Sequence, residues 1–185
     1  MMIKLENVSL SFDEKTILNN FSFTFPDKGL VLIKGVSGSG KSSLAKIILG
    51  IIKADSGSVE ISTDKFSVVF QEDRLVPSLT AIQNVELVSN KLDATKRLEQ
   101  LKLGDSLSKY PCELSGGMKR RVAIARALAF GGEVLVLDEA FTGIEDDLAR
   151  EIIGNICDEY KNRLVIAITH RSEIFSSVDH TVCNI

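Results

Sequence analysis

Cysteine, proline and long apolar runs are scarce in this chain, and each scarcity excludes something. The three cysteines, Cys112, Cys157 and Cys183, stand far apart with no Cys-x-x-Cys pair, which points to reduced packing thiols rather than a disulfide framework or a zinc site. The three prolines mark no linker, and no internal repeat or low-complexity stretch divides the 185 residues. One α/β domain large enough to bury a core is therefore expected. Runs such as "VLVL" and "LVIAI" fall far short of the roughly 20 apolar residues of a membrane-spanning helix. The opening "MMIKLENVSL" alternates as a strand does and lacks the basic and apolar regions of a secretory signal, so a cytoplasmic chain is expected. Positive charge is not in excess either, the net charge being −3. "KRR" at 119–121 reads as a solvated helix face, and nucleic acid is not expected as a partner.

What is present is a pattern of strands and helices. Ile3, Leu5, Val8, Leu10 and Phe12 alternate with polar residues, and "FSFTF" at 21–25 repeats the alternation, predicting antiparallel strands with one wet face. "GLVLIKG" reads as a strand ending in a glycine-rich turn, and Leu44, Ile47, Ile48 and Ile51 recur after it at helical spacing. "DSGSVEIS" and "FSVVFQ" read as strands, and 80–89 and 93–101 as short amphipathic helices. "RRVAIARALAF" reads as a helix closed by Gly131 and Gly132. "VLVL" and "LVIAI", continuous apolar runs flanking a helical pattern over 145–160, are what parallel strands buried on both faces show. The predicted core is a mostly parallel sheet wrapped by helices, with an antiparallel β subdomain at the N-terminus and a helical stretch over roughly 72–130.

The strongest local signal is "GVSGSGKS", Gly35-Val36-Ser37-Gly38-Ser39-Gly40-Lys41-Ser42, a G-x-x-x-x-G-K-[ST] loop placed between an apolar strand and a helix. Its glycines let the backbone curl N–H groups around phosphate oxygens, and the helix N-terminus adds a favourable dipole. Lys41 reaches the β- and γ-phosphates, Ser42 offers a hydroxyl to Mg²⁺, and Ser43 adds a phosphate contact. A magnesium-bound nucleoside triphosphate also calls for a carboxylate near the metal, and "VLVLDE" supplies Asp138 at a strand end with Glu139 after it. Asp138 is expected to serve Mg²⁺ and Glu139 to orient or deprotonate an attacking water. One feature of "ELSGGMKRR" then stands out. Ser115, Gly116 and Gly117 open a second helix, and hence a second phosphate-binding surface, although the first loop already cradles the phosphates.

With "LSGG" added to the P-loop, the chain resembles the ATP-binding-cassette (ABC) ATPases, and it does so over nearly its whole length. The resemblance implies that Ser115, Gly116 and Gly117 of one subunit close on the ATP held by its partner. It further assigns Gln71 of "VVFQED" to Mg²⁺ and the water region, His170 of "AITH" to the γ-phosphate, and Phe12 of "LSF" to stacking on adenine. Implied partners are a second cassette, in a homodimer or pseudo-dimer, an integral membrane subunit docking beside Gln71 against 72–101, and indirectly a solute-binding protein. The implied place is the cytoplasmic face of the membrane. "LSGGM" and "QEDRLVPSLTAIQNVEL" are closest in style to nitrate, sulfonate and taurine importers. The chain departs from the usual family pattern at Met118 (glutamine), Ala140 (proline) and Glu145 (aspartate), and ends 15 residues after His170, which suggests no appended regulatory domain. A soluble ABC ATPase of iron–sulfur cluster assembly stays open as the alternative. A P-loop kinase or GTPase is disfavoured, since no N-K-x-D guanine motif occurs.

Overall fold

The computed structural model describes residues 2–13 and 15–185. In chain order the elements are β1 (Ile3–Phe12), β2 (Lys15–Phe25), β3 (Gly29–Lys34), α1 (Lys41–Ile48), β4 (Ser56–Ile61) and β5 (Phe66–Val69). They continue with α2 (Ala81–Glu86), α3 (Lys91–Gln100), α4 (Gly116–Phe130), β6 (Val134–Asp138), α5 (Asp146–Glu159), β7 (Leu164–Ile168) and β8 (His180–Asn184). β2, β1 and β4 form an antiparallel sheet in that order, and β5-β6-β7-β3-β8 a parallel one.

The parallel sheet is buried on both faces, as its apolar runs require. Successive side chains of a strand point to opposite faces. Leu30, Leu32, Leu135, Leu137, Val165 and Ala167 therefore pack against α2 to α5, while Val31, Ile33, Val134, Val136, Leu164 and Ile166 pack against α1 and the antiparallel sheet. This brings the first sheet against the end of β3, where the glycine loop begins. In β1 the alternation slips at Asn7, whose φ of 51° marks a bulge, so that Leu5 and Val8 both point inward.

Three differences from the sequence reading have physical causes. The helix after the glycine loop stops at Ile48, because Gly50 adopts φ 67° and the amides of Ile51 and Ile52 fold back onto the Lys46 carbonyl; Ile51 is thereby 53% exposed rather than core. The C-terminal strand β8 was not foreseen, since of "HTVCN" only Cys183 is buried and the strand pairs with β3 alone, at the sheet edge. Burial pushes the Cys183 thiol up to about 12, as suits a packing cysteine, whereas Cys112 is exposed. Finally, "KRR" is not a solvated face: Arg120 is only 8% exposed. α4 buries residues all around its circumference, so an arginine on it is carried inside. Among the described residues no helix is long and apolar enough to cross a membrane.

Candidate functional site

The glycine loop owes its course to residues without side chains. Gly38 and Gly40 adopt φ 79° and 98°, a region that side-chain-bearing residues rarely adopt. A Cβ on Gly35 would meet Ser39 Oγ at 2.5 Å and the Ile185 carbonyl oxygen at 2.7 Å. On Gly40 it would meet Ile17 Cγ2 at 2.7 Å, so β2 packs directly on the loop. Gly40 caps α1, whose first turn carries no acidic residue, leaving the positive end of the helix dipole unopposed. Lys41, buried, donates from Nζ to the Gly35 and Val36 carbonyls at 2.9 and 2.8 Å. Its ammonium is thus held over the loop.

Around this loop lies a cavity of about 680 Å³ whose walls come from both sheets. From the antiparallel sheet come Phe12, Lys15 and Ile17; from the loop and α1, Ser37, Gly38, Gly40, Lys41, Ser42 and Ser43; from the strand ends, Gln71, Glu139 and His170, with Arg120 and Thr142 beside them. Phe12 continues the alternation of β1, yet it is 50% exposed at this cavity instead of in the core. Asp138, at the end of β6, lies 3.3 Å from Ser42 Oγ through its Oδ1. Among the described residues no cluster of three or more His, Cys, Asp or Glu could hold a metal. A cation beside Ser42 and Asp138 would therefore draw most of its ligands from phosphate and water, as magnesium does in such sites.

The two carboxylates differ in setting. Burial raises the Asp138 carboxyl above its ordinary value, opposed by the Ser42 hydroxyl and the charges of Lys46, Arg120 and Lys41. Glu139 has φ 50° and its amide bonds the Ile168 carbonyl at 2.9 Å. This turns its side chain toward the cavity, where Oε1 sits 3.4 Å from His170 Nε2. Burial raises Glu139 as well, with His170 opposing it and Asp138 adding to it. Glu139 Oε1 and Ser39 Oγ are buried without a hydrogen-bond partner, polar atoms that a phosphate-bearing ligand and its water would satisfy.

These shifts carry a consequence for stability. A carboxyl whose folded value is raised is penalised when ionised, so its contribution falls as pH rises from the ordinary value of 3.8 through the raised one. Asp138→Asn removes that penalty. The nucleotide-free variant is expected to gain stability over wild type progressively above about pH 4, with a plateau beyond the raised value. Urea midpoints measured for both chains across pH check this; a difference independent of pH would contradict it.

Ser115, Gly116 and Gly117 are not part of the cavity. Ser115 caps α4, its Oγ accepting from the Met118 amide at 3.3 Å, and it lines a separate depression of about 230 Å³ with Gly117, Arg121, Gly143 and Glu145. There a Cβ on Gly117 would overlap the Gly143 carbonyl oxygen, so the start of α4 and the turn after Glu139 touch backbone to backbone. Sequence reasoning missed Arg120 and Thr142 as cavity residues. For Arg120 the available signal was the run of apolar residues after it, Val122–Ala125 and Ala127–Phe130, which leaves that part of the helix no polar face.

Comparison with known proteins identifies relatives along most of the chain. A family model described as "ABC transporter" matches residues 18–142, more than half the chain. The aliphatic sulfonates import ATP-binding protein SsuB of Corynebacterium glutamicum is 36% identical over 93% of this chain and 75% of its own length. The sulfate/thiosulfate import ATP-binding protein CysA of Vibrio vulnificus is 31% identical over 98% of this chain, which spans only 60% of that longer relative. Among solved structures, the ATP-binding cassette MJ0796, as a dimer in a post-hydrolysis state bound to ADP and Pi, superposes with a TM-score of 0.84. That match is 29% identical and covers 94% of this chain and 90% of that one.

Proposed function

The chain belongs to the ABC transporter family, and we propose that it is the ATP-binding and ATP-hydrolysing subunit of a membrane importer. One observation supports the reading: the glycine loop and the capped start of α4, each the kind of element that binds phosphate, line separate depressions. The cavity holds the P-loop, Gln71, Glu139 and His170, while the capped start of α4 opens elsewhere. Two such surfaces in separate depressions are both put to use when two cassettes associate and each completes the other's site. The MJ0796 cassette, a dimer bound to ADP and Pi in its solved structure, supports this, as do the importer subunits among the relatives.

In this account ATP lies with its adenine against Phe12 and its phosphates along 35–43. Lys41 exchanges its carbonyl partners for β- and γ-phosphate oxygens. Ser42 and Gln71 would hold magnesium, with Asp138 serving it through water, and the bound ion would neutralise phosphate charge. Glu139 orients the attacking water and His170, beside it, contacts the γ-phosphate. The partner's Ser115-Gly116-Gly117 surface, and this chain's toward the partner, bridge the γ-phosphates, so ATP favours closure and its hydrolysis permits parting. The work is delivered to a membrane subunit docked beside Gln71 against 72–101, and through it, indirectly, to a solute-binding protein. That places the chain on the cytoplasmic face of the membrane.

Lys41→Ala tests the nucleotide site directly. Loss of a charge-assisted bond to phosphate is expected to weaken binding of a fluorescent ATP analogue in Mg²⁺ by about ten- to a hundredfold. Undiminished affinity would remove this cavity as the ATP site.

A further inference from the structure

Arg120 is buried in α4, yet its contacts are not those of a residue that merely fills space. Its Nη1 donates to the Phe70 carbonyl at 2.8 Å and its Nη2 to the Gln71 carbonyl at 2.6 Å, while Nε lies 3.2 Å from Asp73 Oδ1. Phe70 and Gln71 follow directly on β5, which ends at Val69, so their carbonyls have left the sheet ladder and need other donors. A guanidinium is a planar fork that spans two successive carbonyls, which the single ammonium of lysine cannot do. Six residues further along the same helix, Arg126 donates to the Asp73 and Arg74 carbonyls at 3.1 and 2.9 Å. The segment 70–74 is thereby fastened to α4 at both its ends.

A buried charge is poor value for stability, since apolar residues of like volume often serve as well. What the fork supplies is a fixed geometry. α4 begins at its Ser115 cap, and five residues of helix at 1.5 Å each separate Arg120 from it by roughly 7.5 Å of rigid rod. Arg120 also faces the nucleotide cavity together with the Gln71 side chain.

We propose that Arg120 is a positioning residue: it fastens Gln71 to the helix that carries Ser115, so that the Gln71 of a chain's own cavity and the phosphate surface that chain offers its partner move as one body. The proposal rests on the nucleotide reading above, and the two fail separately. A wild-type chain that binds no MgATP removes that reading, whereas the fastening itself is decided without nucleotide.

The experiment uses Arg120→Met and, as the milder change retaining one donor group, Arg120→Gln, each in the wild-type and Gln71→Ala chains. Limited tryptic cleavage of the nucleotide-free proteins after Arg74, inside the fastened segment, is read first. It is expected to accelerate at least about tenfold in Arg120→Met and less in Arg120→Gln, with the circular dichroism unchanged as the sign of an intact fold. Steady-state phosphate release is read second. Arg120→Met is expected to lower kcat about tenfold or more with KM for MgATP within about twofold, and to cost less than about twofold further once Gln71 is already alanine. Unchanged cleavage after Arg74 in both variants overturns the proposal. So does an equal loss of kcat in the two backgrounds, because Arg120 would then act independently of Gln71. Should Arg120→Met fail to fold, the same comparisons are decided by Arg120→Gln.

Discussion

Glu139→Gln is expected to bind MgATP within about threefold of wild-type affinity and to hydrolyse it at least about a hundredfold more slowly, the usual scale of a lost general base. The substitution keeps the shape of the side chain, so the cavity that receives the phosphates is unaltered. What it removes is a carboxylate oxygen that is buried, without a hydrogen-bond partner, and 3.4 Å from His170. That oxygen is turned into the cavity by the φ of 50° at Glu139 and the bond from its amide to the Ile168 carbonyl. Burial raises its affinity for a proton, which favours its taking one from water. Phosphate release together with nucleotide binding measures both halves of the expectation. Turnover close to wild type would remove Glu139 from this role.

Gly117→Ala is expected to lower the melting temperature by several degrees and to weaken ATP-driven association at least about tenfold. The new methyl group would overlap the Gly143 carbonyl oxygen, and neither backbone gives way easily. Overpacking of this kind costs about 1–3 kcal/mol, or roughly 2–10 °C in a chain of this size. Because Gly143 sits between Glu139 and α5, the displacement moves the start of α4 against the turn after Glu139. Gly116→Ala is the comparison, since a Cβ there meets nothing within 4 Å; its melting temperature is expected to match wild type. Calorimetry of the two variants checks this, and equal stability would show that the contact between the two loops is not tight.

Much of this architecture was legible in the chain, for reasons that can be named. Strands buried on both faces announce themselves as unbroken apolar runs, which is why 134–137 and 164–168 could be placed. The P-loop could be placed because glycine, lysine and serine at that spacing have few other uses. Legibility failed where tertiary context overrules local pattern. Ile51 keeps helical spacing, but Gly50 breaks the helix first. Resemblance alone assigns Phe12 to the nucleotide; strand alternation would put it in the core, whereas at the end of β1 it lines the cavity. Arg120 looks solvated in "KRR", and only the burial of α4 on all sides turns it inward. β8 carries too little apolar signal to be read, because the edge it completes is covered on one face only by Cys183.

The claim on which the rest depends is that two cassettes share their ATP sites, and sedimentation of Glu139→Gln with and without MgATP tests it most directly. The account predicts a monomer without nucleotide and a dimer with it, since the variant holds ATP without consuming it. Adding Ser115→Arg, which fills the surface offered to the partner's phosphate, is predicted to return the chain to a monomer while each cavity still binds ATP. A dimer that forms equally well with Ser115→Arg, or a chain that saturates with ATP and stays monomeric, would contradict it.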